Sequence, residues 1–411
     1  MASSVGQRRC GAYGQDHDIF LKTRVCVYLG KLVRFRLKFV TMTDSNKVAS
    51  VVLVGCGAPL RSMGWYHAVQ ILDSRVPFAT LKHVVEPWYM SDAAKGAPGY
   101  QEFQGFKKEQ ETKNGIRFYA NVKDVPSPGQ DELRLGIISA RTADNPSLLA
   151  DCLDIGCKTI YLEKPGAPTV AELEQMRDKA TAAGTKVFMG FNKNVSSYLT
   201  RTRELASKYN GKCDVTFLHN NNYKNEPKEL AECFERNAEG MLKNMAIHEL
   251  AILVTYYGVT VDTIASVEAD KEYSSCQTLK GPSSGKDFTD FDKLKFKIIT
   301  KDGTEVNVAA DRCGGDDSVG IATDASTGKE LARHTMPDDE TVANTPALQK
   351  KYGDAMPYFF AQDPDYLKLK ELVVKNLVDG SPTEGVATID GAIETLKIAE
   401  HLTPILQEQL K

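Results

Sequence analysis

Apolar residues along this chain switch between two spacings. Short unbroken apolar runs predict strands over 48–54, 81–86, 115–119, 133–138, 159–163 and 186–191. Helical spacing fills the gaps: 64–74, with Ala68, Val69, Ile71 and Leu72 on one face, then 146–154, then 169–183. Thr169 with Glu172 three residues on is a capping box and marks the start of the last of these. Strands alternating with helices predict an α/β fold whose N-terminal part is a Rossmann-type, doubly wound parallel sheet with right-handed crossovers.

After residue 194 the pattern changes. A helix is expected over 197–208, a strand over 213–219 and one long helix over 239–257. Strands follow at 264–269, 291–300 and 305–311, a Ser/Gly-rich loop spans 271–286, and helices close the chain at 365–379 and 389–410. Strands in runs with helices set apart predict a C-terminal α+β domain on a mostly antiparallel sheet. The expected division is a basic extension over 1–46, a dinucleotide-binding domain over 47–193, and a substrate and oligomerisation domain over 194–411.

Composition narrows the partners. A net charge of −3 over 411 residues gives no electrostatic reason to expect nucleic acid or an anionic membrane. No apolar run approaches the roughly 20 residues of a membrane-spanning helix. The nine cysteines form no C-x-x-C pair, so neither a zinc or other metal site nor a disulfide scaffold is expected, and a reducing, cytoplasmic setting is. The first 41 residues carry Arg8, Arg9, Lys22, Arg24, Lys31, Arg34, Arg36 and Lys38 against only Asp16 and Asp18. Two readings stand: an organelle-targeting presequence, or an extension upstream of a start at Met42.

Candidate chemistry begins where the first strand ends. Val51 to Val54 run into Gly55-Cys56-Gly57, the turn that lets a backbone approach a pyrophosphate at a helix N-terminus. The third glycine of that fingerprint belongs at position 60, but Leu60 stands there and Gly64 comes four residues later. Glu86, at the tip of the second strand, is placed to take ribose hydroxyls. No Lys or Arg follows closely to hold a 2′-phosphate, so NAD is favoured over NADP.

The stretch "GCKTIYLEKPGAPTVAELEQM" (156–176), with "GWYHA" at 64–68 and "KVFMGFNKN" at 186–194, resembles the glucose–fructose oxidoreductase/inositol dehydrogenase (Gfo/Idh/MocA) family. The resemblance covers 48 to about 260 and, more loosely, the rest. It implies that Gly64 takes the third-glycine role, that Pro59 to Ser62 or a neighbouring four residues are an insertion, and that Gly55, Cys56, Gly57, Gly64, Trp65, Glu86, Glu163, Lys164 and Pro165 surround the cofactor. Arg61 would fold over the pyrophosphate or stand as a surface arginine. Lys164 of Glu-Lys-Pro would stabilise charge on the reacting oxygen, and His248 would be the acid/base. Lys193 is a candidate substrate contact beside Lys164 and His248.

Two departures stand out. Asn244 occupies the position where many relatives carry Asp, one helical turn before His248, and Asn145 the position where many carry His. His67 is read as packing or capping, and Asn220-Asn221-Asn222-Tyr223 as either a polyol contact or a turn. Arg312 and His334 are unplaced. The resemblance implies an NAD(P)-dependent oxidoreductase acting on a secondary alcohol or carbonyl of a small polar molecule such as a sugar or cyclitol, in a homodimer or homotetramer. Two alternatives are a cofactor-binding regulator without turnover, and reduction of an imine or C=C bond on the same scaffold.

Overall fold

The computed structural model describes residues 47–209 and 212–411; the basic extension and its two readings lie outside them. Its first sheet is built from β1 (Ala49–Val54), β2 (Ala79–Val85), β3 (Arg117–Tyr119), β4 (Leu133–Ile138), β5 (Thr159–Leu162) and β6 (Lys186–Met189). The strands lie in the order β3-β2-β1-β4-β5-β6, all parallel. This is the doubly wound dinucleotide-binding order, with β1 and β4 flanking the switch point. The helices between them are α1 (Met63–Leu72), α2 (Tyr100–Asn114), α3 (Asn145–Asp154) and α4 (Val170–Ala182). Thr169 caps α4: its hydroxyl accepts from the Glu172 N–H at 3.2 Å and donates to the Glu172 carboxylate.

Then come α5 (Ser197–Ser207), β7 (Cys213–Asn220), α6 (Pro227–Arg236), α7 (Met241–Asn244), α8 (Ile247–Tyr257), and the strands β8 (Ile264–Ala269), β9 (Ser275–Lys280), β10 (Asp287–Thr300), β11 (Glu305–Asp311), β12 (Ser318–Asp324) and β13 (Glu330–Met336). The second sheet runs β13-β12-β7-β11-β10-β8, with β9 on β10, and only β7 and β11 pair in parallel. The chain ends with α9 (Asp339–Tyr352), α10 (Pro357–Ala361), α11 (Asp363–Asp379) and α12 (Ile389–Gln409).

Two expectations are corrected here. The single helix over 239–257 is two, because a turn at Met245 and Ala246 interrupts it between α7 and α8. The loop over 271–286 contains β9, whose side chains are mostly half-exposed or exposed on both faces, so it shows no apolar alternation.

Because the first sheet is covered on both faces, its central strands β1, β4 and β5 are buried and largely apolar. Val51, Leu53 and Ile137 pack on one side with Trp65, Tyr66 and Phe103; Val52, Val54 and Ile160 pack on the other with Leu149, Leu173 and Met176. The covering helices do not all come from the first half. Leu369, Val373 and Val374 of α11 complete the first face, together with Tyr352, Phe359 and Phe360. Helix α12 joins both halves: Ile393 and Leu396 pack on the second face of the parallel sheet, while Leu402 and Leu406 pack with Phe217, Phe296 and Val308 of the other sheet. The boundary expected at 193/194 therefore does not separate two independent cores. Among the described residues no helix is long and apolar enough to cross a membrane.

Candidate active site

The turn after β1 has the geometry that close approach to a phosphate requires. Gly55 and Gly57 have φ of +82° and +67°, where a side chain is strained. A Cβ on Gly64 would overlap the Gly55 carbonyl oxygen, so this glycine holds α1 tight against the strand, which is the third-glycine role. The four extra residues form a turn before α1. Leu60 sits in it at φ +67°, packs on the first core, and accepts the Met356 N–H at 3.0 Å. Arg61 is exposed.

Glu86 is buried at the end of β2, with one carboxylate oxygen accepting the Gly57 N–H at 2.6 Å and the other the Trp88 N–H at 3.2 Å. Burial raises its pKa against the pull of these donors. Cys56 is fully buried with its thiol pushed well up, so only its backbone faces the turn. Trp65 corrects an expectation: its indole is buried in the core, edge-on to Tyr352 at 6.1 Å, so its side chain does not border the turn.

The Glu-Lys-Pro segment leaves β5 through a cis Lys164–Pro165 bond. Glu163 is tied inward: His67 Nε2 lies 3.0 Å from its carboxylate, the Tyr161 hydroxyl donates to the same oxygen at 3.0 Å, and Lys370 Nζ donates to His67 Nδ1 at 3.0 Å. His67 is thus a neutral buried bridge, pushed down to about 4 by burial and by Lys370. Asn145 donates to the Gly166 carbonyl at 2.9 Å, binding the start of α3 to the loop after Lys164.

Lys164 and His248 both line a cavity of about 480 Å³, walled also by Met63 at the start of α1, Tyr358, Asn220 and Asp317. Lys164 Nζ donates to the main-chain carbonyl of Asn244 at 3.3 Å. The Asn244 side chain turns the other way and donates to Glu239 at 3.0 Å. The break before α8 causes this: Asn244 and His248 are not on one continuous helix face, so the expected side-chain pairing does not form. His248 is almost fully buried, its Nδ1 has no partner, and burial with Lys164, Lys193 and His219 nearby lowers its pKa well below the ordinary imidazole value.

Lys193 is not a cavity residue. Its ammonium is buried against Glu249 at 3.0 Å, both side chains shielded from solvent. Glu249 is held down at about 2 by Lys193 and His219, which outweigh its burial. His219, which the sequence reading passed over, borders the cavity; its Nδ1 lies 2.9 Å from the Met245 carbonyl and 3.3 Å from Glu249. The strand period held the signal, since Val215, Phe217 and His219 alternate onto one face of β7. Asn220 donates to Asp317 at 2.7 Å, while Asn221 and Tyr223 bond through their backbone to Asp311 and Arg312. Arg312 is buried on Asp290, and neither it nor His334 reaches the cavity.

By sequence, the chain matches no family model and no curated protein. By structure it is similar to a scyllo-inositol dehydrogenase from Lactobacillus casei with bound NAD(H) and scyllo-inositol, at 13% identity and a TM-score of 0.60, covering 88% of this chain and 96% of that one. A myo-inositol dehydrogenase from Corynebacterium glutamicum gives 16%, 0.60, 88% and 96%. A myo-inositol 2-dehydrogenase from Lactobacillus plantarum gives 14%, 0.59, 89% and 97%. The chain has the Gfo/Idh/MocA fold. With coverage this complete on both sides, the likeness takes in both sheets.

Proposed function

We propose that the chain is an NAD-dependent oxidoreductase that interconverts a secondary alcohol and a carbonyl on a small polyhydroxylated molecule, with cyclitols and sugars the first class to test. One observation carries the reading: the opening of α1, Lys164 and His248 border a single cavity. The glycine turn and Glu86 fit a dinucleotide, for Gly55 and Gly57 leave room for a pyrophosphate and Glu86 keeps acceptor capacity for ribose hydroxyls. When bound, the nicotinamide supplies hydride chemistry.

This chain's residues do the rest. The Lys164 ammonium donates to the reacting oxygen and stabilises its developing charge in a site shielded from water. The acid/base is a histidine of the cavity wall: His248, kept neutral by its surroundings, is the candidate that the sequence motif names, and His219 is the other. Asn220 and Asp317 offer donors and acceptors suited to further hydroxyls. The same reading expects a homo-oligomer through the open face of the second sheet, where Lys297, Asn307 and Glu268 stand in register.

The test is NAD and NADP binding to the purified chain, then turnover with a panel headed by myo-inositol, alongside Lys164→Ala. Tight NAD binding and turnover lost in the variant are expected. A cofactor-binding regulator is the alternative, favoured by the Asn244 side chain facing Glu239 instead of His248; NAD binding without any turnover on the panel would establish it.

A further inference from the structure

We infer that His219, rather than His248, ends with the proton of the substrate hydroxyl, with Glu249 as its positioning carboxylate. The inference rests on the dehydrogenase reading and places its acid/base on strand β7 instead of helix α8.

The tautomer of His219 follows from its neighbours. Nδ1 faces two oxygens, the Met245 carbonyl at 2.9 Å and Glu249 Oε2 at 3.3 Å. A carbonyl only accepts, and Glu249 is kept a carboxylate by Lys193 at 3.0 Å. The ring therefore carries its proton on Nδ1 and presents Nε2 as a bare lone pair. That nitrogen has no partner among the described residues, on a ring that borders the cavity. This is the arrangement of a base oriented by a third group.

His248 lacks each of these supports. Its Nδ1 is buried without a partner, so nothing selects its tautomer, and no carboxylate touches it. The two rings lie 6.2 Å apart, centroid to centroid, near enough to share one reacting oxygen. The carboxylate that Asn244 does not supply is thus provided by Glu249, and to the other histidine. Helix α8 is broken from α7 at the point where Met245 turns its carbonyl onto His219, so the same irregularity that separates Asn244 from His248 orients the second ring.

In the oxidative direction the carbinol C–H bond breaks with its electron pair passing to the nicotinamide dinucleotide as hydride. The O–H bond breaks as its proton moves to His219 Nε2, leaving the carbonyl. Lys164 holds the oxygen throughout, and the imidazolium gives its proton to water as product leaves. The charged and titratable groups facing His219 are Glu249 and His248 from α8, Lys193 after β6, Lys164 after β5, and Asp316 from the loop before β12. Burial and the Lys193 charge keep the resting ring neutral, and Glu249 opposes them by favouring the imidazolium that forms.

Two measurements on the full chain test this. The first is ¹⁵N NMR of the histidine rings, which needs no substrate. It is expected to show His219 as the Nδ1–H tautomer, with a lower titration midpoint in Glu249→Gln. An Nε2–H tautomer overturns the proposal. The second is turnover with NAD and myo-inositol or scyllo-inositol. His219→Asn, with His219→Gln as a second replacement should the first fail to fold, is expected to lower kcat by about 100-fold or more while NAD affinity stays within about twofold. Glu249→Gln should move the acidic limb of the kcat/KM profile to lower pH. Wild-type turnover with kcat unaffected by His219→Asn and abolished by His248→Asn overturns this proposal and leaves the dehydrogenase reading intact. NAD binding with no turnover by the wild type overturns both.

Discussion

Gly57 donates its main-chain N–H to the Glu86 carboxylate at 2.6 Å, joining residues 29 apart in sequence. The turn that would meet a pyrophosphate and the carboxylate that would meet a ribose are therefore one hydrogen-bonded unit. Glu86→Ala should weaken NAD binding by at least about tenfold, or about 1.4 kcal/mol, through lost ribose contacts and an unpartnered Gly57 amide. Fluorescence titration with NAD checks it; unchanged affinity would overturn the ribose assignment.

Gly64→Ala should cost about 3 kcal/mol or more, the upper end for overpacking, because the clash is with the Gly55 backbone and no side chain can move aside. Gly57→Ala adds strain at a positive φ and an overlap with the Ser62 Cβ, so it too should destabilise, by about 1–3 kcal/mol. Urea unfolding of both variants gives the comparison.

The buried pair Lys193–Glu249 sets an acid limit on stability. Glu249 is held at about 2, below its ordinary value near 4.5, so its contribution is complete above about 4.5 and is lost as pH falls toward 2. Lys193→Met should destabilise by about 3–5 kcal/mol by leaving the carboxylate buried and alone. Lys193→Met with Glu249→Leu should recover much of that. Denaturant midpoints at pH 7 and pH 4 measure both effects, and equal losses in the single and double variants would refute the coupling.

Asn244 should tolerate change better than a catalytic position would. Lys164 is held by its carbonyl, which every residue has, while its side chain bonds to Glu239. Asn244→Ala should lower kcat less than about fivefold. Asn244→Asp should not raise it, because the new charge would lie against Glu239 and away from His248. Steady-state kinetics with NAD decides; a rate gain of tenfold in Asn244→Asp would mean that the side chain can turn to His248.

Much of the fold was readable because it is periodic. Val51 to Val54 sit between two covered faces and so read as an uninterrupted apolar strand, and Thr169 with Glu172 marked the start of α4. The break at Met245 and Ala246 was not readable: neither glycine nor proline announces it, and it falls where the Met245 carbonyl meets His219 across 26 residues of sequence. Helix α2 was passed over because Phe103 and Phe106 are nearly its only apolar anchors among charged residues. In the site, Lys164 and Glu86 stood in legible motifs. Trp65 and Lys193 looked like ligand contacts, but an aromatic ring and a lysine stem bury equally well, and only Tyr352 and Glu249 show that they do. Glu249 itself, a charge inside the apolar run of α8, was the one local hint of a buried network.

Helix α11 completes one face of the parallel sheet, and it is made late. Val51 meets Leu369 and Val373 in the same core across more than three-quarters of the chain. At about 5–20 residues per second, the first strand would wait roughly 15–60 s on the ribosome before its cover exists. The nucleotide half is encoded first but finished near the end, so a truncated product would expose a broad apolar sheet face, and the nascent chain is a natural client for a chaperone until α11 and α12 have docked.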